Sequence, residues 1–139
     1  MLRVVLDANV FDSAYINPED TPGQIVQSFL RDKSFKLALS EPIIAEVLEA
    51  LAYPKVLKAA RSKIERALWF EDLVVLSQLV ADDIAVPRLS GDPDDDQYIA
   101  CAIAGRATFL VTGDPDLLTV RQHEGVRIVT PRSFLDVIA

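Results

Sequence analysis

The segment Leu2-Arg3-Val4-Val5-Leu6 constrains the fold of this chain more than any other. Arg3–Leu6 reads as an apolar, β-branched strand without polar alternation, the pattern of a strand covered on both faces in a parallel sheet. The run stops at Asp7, with Ala8-Asn9-Val10-Phe11 behind it. An acid ending such a strand is presented at the carboxyl edge of the sheet, where open parallel sheets build their sites.

The rest of the chain alternates strand and helix signals. Thr21-Pro22 opens a helix to about Arg31, because Thr caps well and Pro fits the first helical position. Phe35–Leu39 is a second strand. Ser40 caps the helix that follows, and Pro54 interrupts it near Tyr53. A long helical stretch covers roughly Ala59 to Leu79. Its Leu68, Trp69, Phe70, Leu73, Val74 and Leu76 make it apolar beyond one stripe, so a core helix and a partner surface both stay open. Ala85–Pro87 is a brief extended segment. Asp92-Pro93 starts a helix to about Ala104, with Gly105 suited to its C-terminal cap. Thr108–Val111 and Arg127–Val129 are strands, Asp114-Pro115 opens a short helix, and Pro131 begins the last one. This alternation predicts an α/β fold, with a central parallel sheet of about five strands and helices on both faces. With 139 residues and no repeat, linker or low-complexity tract, one domain over 1–139 is expected.

Composition narrows the function classes. No uninterrupted apolar run reaches the ~18 residues of a membrane span, and no secretion signal is expected. Cys101 is the one cysteine, so no internal disulfide can form, and a cytoplasmic location is the expectation. The formal net charge of -7 argues against nucleic-acid contact, which needs Lys and Arg. The distribution tempers that objection. Residues 31–66 hold eight basic residues, including Lys55, Lys58, Arg61 and Lys63, against five acids. Residues 82–96 hold six acids. A solvated helix face at 55–66 explains the basic stretch somewhat better than a substrate surface does.

Four carboxylates stand at edges of apolar segments: Asp7, Glu46, Asp96 and Asp114. Asp7 is open to reading as a turn residue or a helix cap, but Asn9 two residues later adds polarity beyond that need. In the helix Pro42–Leu51, Ile43, Ile44, Val47, Leu48 and Leu51 define one arc at ~100° per residue. Glu46 sits near the border of that arc and Glu49 points away from it. Asp96 shares a stripe with Ile99, Ala100 and Ile103, and an unpaired buried charge is costly. Asp92, Asp94 and Asp95 are explained by the positive end of the helix dipole. Asp114 suits a helix cap, Asp116 follows one turn into the same helix, and Thr112 is placed to hydrogen-bond a carboxylate. Carboxylates gathered without histidine or cysteine suit a hard cation such as Mg²⁺ or Mn²⁺, which activates water and stabilises charge at phosphorus. His123 reads as a surface residue and Cys101 as a small core residue.

These residues resemble the PIN-domain family of metal-dependent ribonucleases. The likeness rests on Val4-Val5-Leu6-Asp7-Ala8-Asn9-Val10, on Ser40 to Leu48, on Asp92-Pro93-Asp94-Asp95-Asp96-Gln97-Tyr98-Ile99-Ala100 and on Leu110 to Leu118. Their order and spacing agree over nearly the whole chain. The resemblance implies a Rossmann-like, three-layer PIN fold and an acidic pocket for Mg²⁺ or Mn²⁺. It also implies endonucleolytic hydrolysis of RNA, in the manner of the small bacterial toxins of toxin–antitoxin pairs. The family's acids map onto Asp7, Glu46, Asp96 and Asp114, with Asn9, Thr112 and Asp116 supporting. Asp95 competes with Asp96, and helix geometry favours Asp96. Gln97 stands where relatives often carry a basic residue, leaving open what contacts substrate there. Lys55, Lys58, Arg61 and Lys63 are the candidate phosphate contacts. The expected partners are RNA, a cognate antitoxin and a second copy in a homodimer.

Three rivals stay open. A receiver domain wants paired acids after its first strand and a late lysine, whereas Asp7 has no acidic neighbour and Lys63 is the last lysine. A haloacid-dehalogenase-like phosphatase wants an acid where Asn9 stands. A PIN fold acting only as a binding module would fail to assemble its acids.

Overall fold

The computed structural model describes residues 1–59, 63–81 and 93–139. Its strands form one six-stranded sheet. β1 (Arg3–Leu6) lies at its centre, between β2 (Lys36–Leu39) and β4 (Phe109–Val111), both parallel to it. Outside these lie β3 (Gln78–Leu79) next to β2 and β6 (Val126–Val129) next to β4, again parallel. β5 (Gln122–His123) closes the far edge as a short antiparallel partner of β6. The order is β3-β2-β1-β4-β6-β5. Val4, Val5 and Leu6 are fully buried or nearly so, as a strand without polar alternation requires.

Helices cover both faces and complete three layers: α1 (Ala8–Ile16), α2 (Thr21–Gln27), α3 (Glu41–Leu51), α4 (Pro54–Ala59), α5 (Lys63–Leu76), α6 (Pro93–Ala104), α7 (Pro115–Val120) and α8 (Pro131–Ile138). Phe134 of α8 meets Phe35 and Phe109 edge-on, with ring centroids 5.2 and 5.7 Å apart. Phe11 of α1 meets Phe70 of α5 in the same manner at 5.6 Å. Such contacts add about 0.5–1.5 kcal/mol each beyond the area they bury.

Several expectations change in detail. No helix was expected between Asp7 and Thr21, and α1 begins directly behind Asp7. The helix opened by Thr21 ends at Gln27 and continues as a π-helical segment, Ser28–Asp32. The stretch expected as one helix to Leu79 ends at Leu76, and Gln78–Leu79 joins the sheet edge as β3. The core reading holds in part: Phe70 and Leu73 are buried, while Leu68, Val75, Leu76 and Leu79 are at least half exposed. Ser40 precedes α3 without a side-chain cap, and its hydroxyl contacts the Cys101 thiol. After α6 the left-handed residue is Arg106 (φ 55°), not Gly105. Gly105 serves close approach, because a Cβ there would stand 3.1 Å from Ala38 Cβ and 3.2 Å from Val80 Cγ2. Ala85–Pro87, Arg61 and Asp92 lie outside the described residues. Among the described residues no helix is long and apolar enough to cross a membrane.

Candidate acidic site at the carboxyl edge of the sheet

Two central strands, β1 and β4, deliver acids at neighbouring positions. Asp7 follows β1, and its backbone N–H donates to the Val111 carbonyl at the end of β4, 3.1 Å away. Thr112, Gly113 and Asp114 continue from β4. Asp7 is 3 % exposed, and both its oxygens are engaged. Oδ1 accepts the Val10 N–H at 3.0 Å, which makes Asp7 the N-cap of α1. Oδ2 accepts the Thr112 hydroxyl. The same hydroxyl accepts the Asp114 N–H at 3.0 Å. Thr112 thus ties the carboxylate after β1 to the backbone of the acid after β4.

Burial pushes the Asp7 carboxyl up to about 6. The hydrogen bonds from Thr112 and Val10 oppose that rise, and the charge of Asp114 adds to it. A carboxylate in this state carries a desolvation cost that a nearby cation would relieve.

Asp114 caps α7 by accepting the Asp116 N–H at 2.9 Å. Both Asp7 and Asp114 are therefore helix caps, as the capping reading of each has it. One oxygen each from Asp95, Asp114 and Asp116 lie within 4.8 Å of one another. Asp95 is half-buried on the first turn of α6, whereas Asp96 is 1 % exposed. The stripe that Asp96 shares with Ile99 and Ile103 packs into the fold, so helix geometry identified the buried acid of the pair. Its neighbour, rotated by ~100°, is the one beside Asp114 and Asp116. Three converging carboxylates beside a buried fourth form an all-oxygen donor set, which suits a hard divalent cation.

Glu46 is half-buried on α3 and Glu49 is exposed, in line with the periodicity of that helix. The Tyr98 hydroxyl, on α6, accepts the Ala8 N–H at 3.1 Å and makes a hydrogen bond with the Glu46 carboxylate. Tyr98 therefore connects Glu46 to the residue after Asp7. Its own pKa is raised, first by burial and then by Glu46 and Asp7, so it acts as a neutral donor. Sequence reading missed Tyr98, although a tyrosine on a buried stripe needs a partner for its hydroxyl. It also missed Asp12, 1 % exposed on α1 and paired with Lys55 Nζ at 3.5 Å.

The remaining candidates disperse. Asn9 is exposed behind Asp7. Lys55 is held by Asp12, and Lys58 is exposed on α4. Arg61 and the Lys63 side chain lie outside what the structure describes. His123 sits on the edge strand β5, paired with Val126. Burial pushes the Cys101 thiol up to about 11, so it stays a protonated core residue.

A family profile described as "PIN domain" matches residues 3–116. The chain is 27 % identical over 143 residues to the uncharacterized protein MJ1680 of Methanocaldococcus jannaschii, covering 97 % of this chain and 90 % of that one. Among solved structures it is similar to PAE2754 from Pyrobaculum aerophilum, at a TM-score of 0.65 and 18 % identity over 99 % of this chain and 89 % of that one. It is also similar to a chain of VapBC2 from Rickettsia felis bound to a promoter DNA fragment, at 0.61 and 13 %, over 93 % and 98 % of the two chains. A chain of DNA-bound VapBC from Salmonella typhimurium follows at 0.58 and 19 %, over 94 % and 99 %. These three likenesses concern the fold.

Proposed function

We propose that this chain, which belongs to the PIN-domain family, is a metal-dependent endoribonuclease that hydrolyses RNA phosphodiester bonds as the toxin of a type II toxin–antitoxin pair. One observation carries the reading: the oxygens of Asp95, Asp114 and Asp116 converge within 4.8 Å beside a buried Asp7 that senses the charge of Asp114.

Asp7, Asp95, Asp114 and Asp116 would hold Mg²⁺ or Mn²⁺, with Glu46 completing the set. Asp95 takes the third place on the strength of that cluster, and Asp96 is its buried rival. Bound there, the ion supplies water activation and neutralises charge at the phosphoryl group. Thr112 fixes the Asp7 carboxylate by hydrogen bonding one oxygen while α1 takes the other. Glu46, hydrogen-bonded by Tyr98, would complete the site or orient the attacking water. Unpaired RNA suits the site, since its backbone is accessible.

Incubation with structured and unstructured RNA separates the readings. Cleavage is expected with Mn²⁺ or Mg²⁺ and none with EDTA. Cleavage that persists unchanged in EDTA would sink the metal-site assignment. Metal binding by calorimetry without cleavage in any condition would favour a PIN fold acting as a binding module.

The partner surface is proposed at the exposed apolar side of α5 and β3. Leu76 and Leu79 are 54 % and 64 % exposed there. Next to them a cleft of about 500 Å³ is lined by Ile44, Ala45, Leu48, Leu79 and Val80, with Glu41 at its rim. Apolar surface of this kind marks association sites. A homodimer is expected in sedimentation, and Leu76→Glu with Leu79→Glu should yield monomer. A wild-type monomer at all concentrations would exclude the homodimer.

A further inference from the structure

Beside the acids, a second cleft of about 320 Å³ is lined by Pro42, Ala45, Glu46, Glu49, Tyr53 and Gln97. We propose that this cleft seats an unpaired nucleobase of the RNA, next to the phosphodiester that is cut. The proposal rests on the ribonuclease reading and names which part of the substrate the site recognises.

Position is the first argument. Glu46 belongs both to this cleft and, through Tyr98, to the acidic site. A base held against Glu46 leaves its own phosphate directed toward the acids. The α3 residues Pro42, Ala45, Glu46 and Glu49, with Tyr53 just beyond the helix, recur at three- and four-residue intervals. They make one stripe, distinct from the one that buries Ile43, Val47 and Leu51.

Chemistry is the second argument. Among the described residues that line the cleft none is a lysine or arginine and two are carboxylates, so a phosphate would meet net repulsion. A base edge fits instead. Carboxylates accept hydrogen bonds from ring N–H and exocyclic amino groups, and the Gln97 amide both donates and accepts. Adenine, cytosine and guanine carry an exocyclic amino donor, whereas uracil offers only its ring N3–H, so the cleft favours the first three. This also gives Gln97 a use that a basic residue would not have: it reads an edge without attracting the backbone.

Tyr53 is the third argument. Tyr53 is 49 % exposed and lines the cleft, while its backbone is fixed in the turn between α3 and α4. The Tyr53 N–H donates to Ala50 O at 3.1 Å, and its carbonyl accepts the Val56 N–H at 2.9 Å. An aromatic side chain of a half-exposed residue, carried on a fixed backbone in a cleft that Pro42 and Ala45 also line, is a stacking platform, and stacking on such rings is tolerant of sequence.

Nucleoside 5′-monophosphates, which hold no phosphodiester to cut, test the seat by saturation-transfer NMR. Base protons of AMP, CMP and GMP should receive strong saturation from the wild-type protein, UMP much less, and all should lose it with Tyr53→Ala. Tyr53→Trp should keep it. In cleavage of unstructured RNA, Tyr53→Ala should raise KM about tenfold with kcat within twofold, and Gln97→Ala should flatten the preference against uracil. Equal saturation and equal KM in Tyr53→Ala, with a wild type that cuts RNA, would overturn the seat alone. If the wild type cuts no RNA with any metal, the ribonuclease reading fails, and the mononucleotide signals still decide whether a base binds at Tyr53.

Discussion

Asp7→Asn is expected to lose RNA cleavage by about 10³-fold and, in EDTA at pH 8, to melt at a higher temperature than the wild type. The two effects have one origin. Asp7 is buried, and burial holds its carboxyl at about 6 against 3.8 in the unfolded chain. The folded state therefore binds its proton more tightly than the unfolded state. Between pH 3.8 and about 6, stability falls as pH rises, and above that window the full cost of the charged form is present. That cost is about 3 kcal/mol in order of magnitude. Acidifying the metal-free protein from pH 7 to pH 5 should thus stabilise it through this group. Asparagine removes the charge and keeps the acceptor that caps α1 at the Val10 N–H. Manganese should reverse the order: at a thousandfold excess over its dissociation constant it adds about 4.1 kcal/mol to the protein that binds it, more than the cost of the buried charge, and the wild type should gain more than the variant. Calorimetric melting with EDTA and with Mn²⁺, at pH 5 and pH 8, reads all four corners. An asparagine variant that melts below the wild type in EDTA at pH 8 would show that Asp7 is stabilising as a charge, contrary to its burial.

The parts of this site that the sequence disclosed are those whose signal is local. Asp7 ends a β-branched run, Asp114 precedes a helix-opening proline, and Glu46 borders a clean apolar arc; each needs only a window of about ten residues to be seen. α1 escaped because Asn9, Val10, Phe11, Tyr15 and Ile16 have modest helix propensity. The helix is held by the burial of Val10, Phe11 and Ala14, a tertiary effect. β3 and β5 span two residues each, too short for any periodicity. The choice between Asp95 and Asp96 shows the limit most clearly. Periodicity reports which side of a helix is buried, and Asp96 is indeed buried at 1 % exposure. Whether the buried side or its flank faces the end of β4 depends on how α6 lies across the sheet, and no window of α6 contains that information.

Tyr98→Phe is expected to weaken Mn²⁺ binding and cleavage by about tenfold each, at the lower end of what the loss of a ligand's hydrogen-bond partner costs at metal sites. The ring, 2 % exposed, keeps its packing in phenylalanine, so the change isolates the hydroxyl. Two bonds go with it. The Ala8 N–H loses its acceptor at 3.1 Å, and an unsatisfied buried donor costs about 1–3 kcal/mol, which denaturant unfolding should register. Glu46 loses its donor, which frees its carboxylate to swing. The second loss is the functional one, and the two are separable by a cycle with Glu46→Ala. If Tyr98 acts on the site through Glu46, the double variant binds Mn²⁺ no worse than Glu46→Ala alone, because the hydroxyl has no carboxylate left to hold. If instead it acts by fixing Ala8 and hence Asp7, the two losses multiply, and calorimetry would show affinity falling by the product. Glu46→Asp supplies the independent check: it keeps the charge and withdraws it from the tyrosine, so Mn²⁺ binding should weaken although the Ala8 bond stays intact.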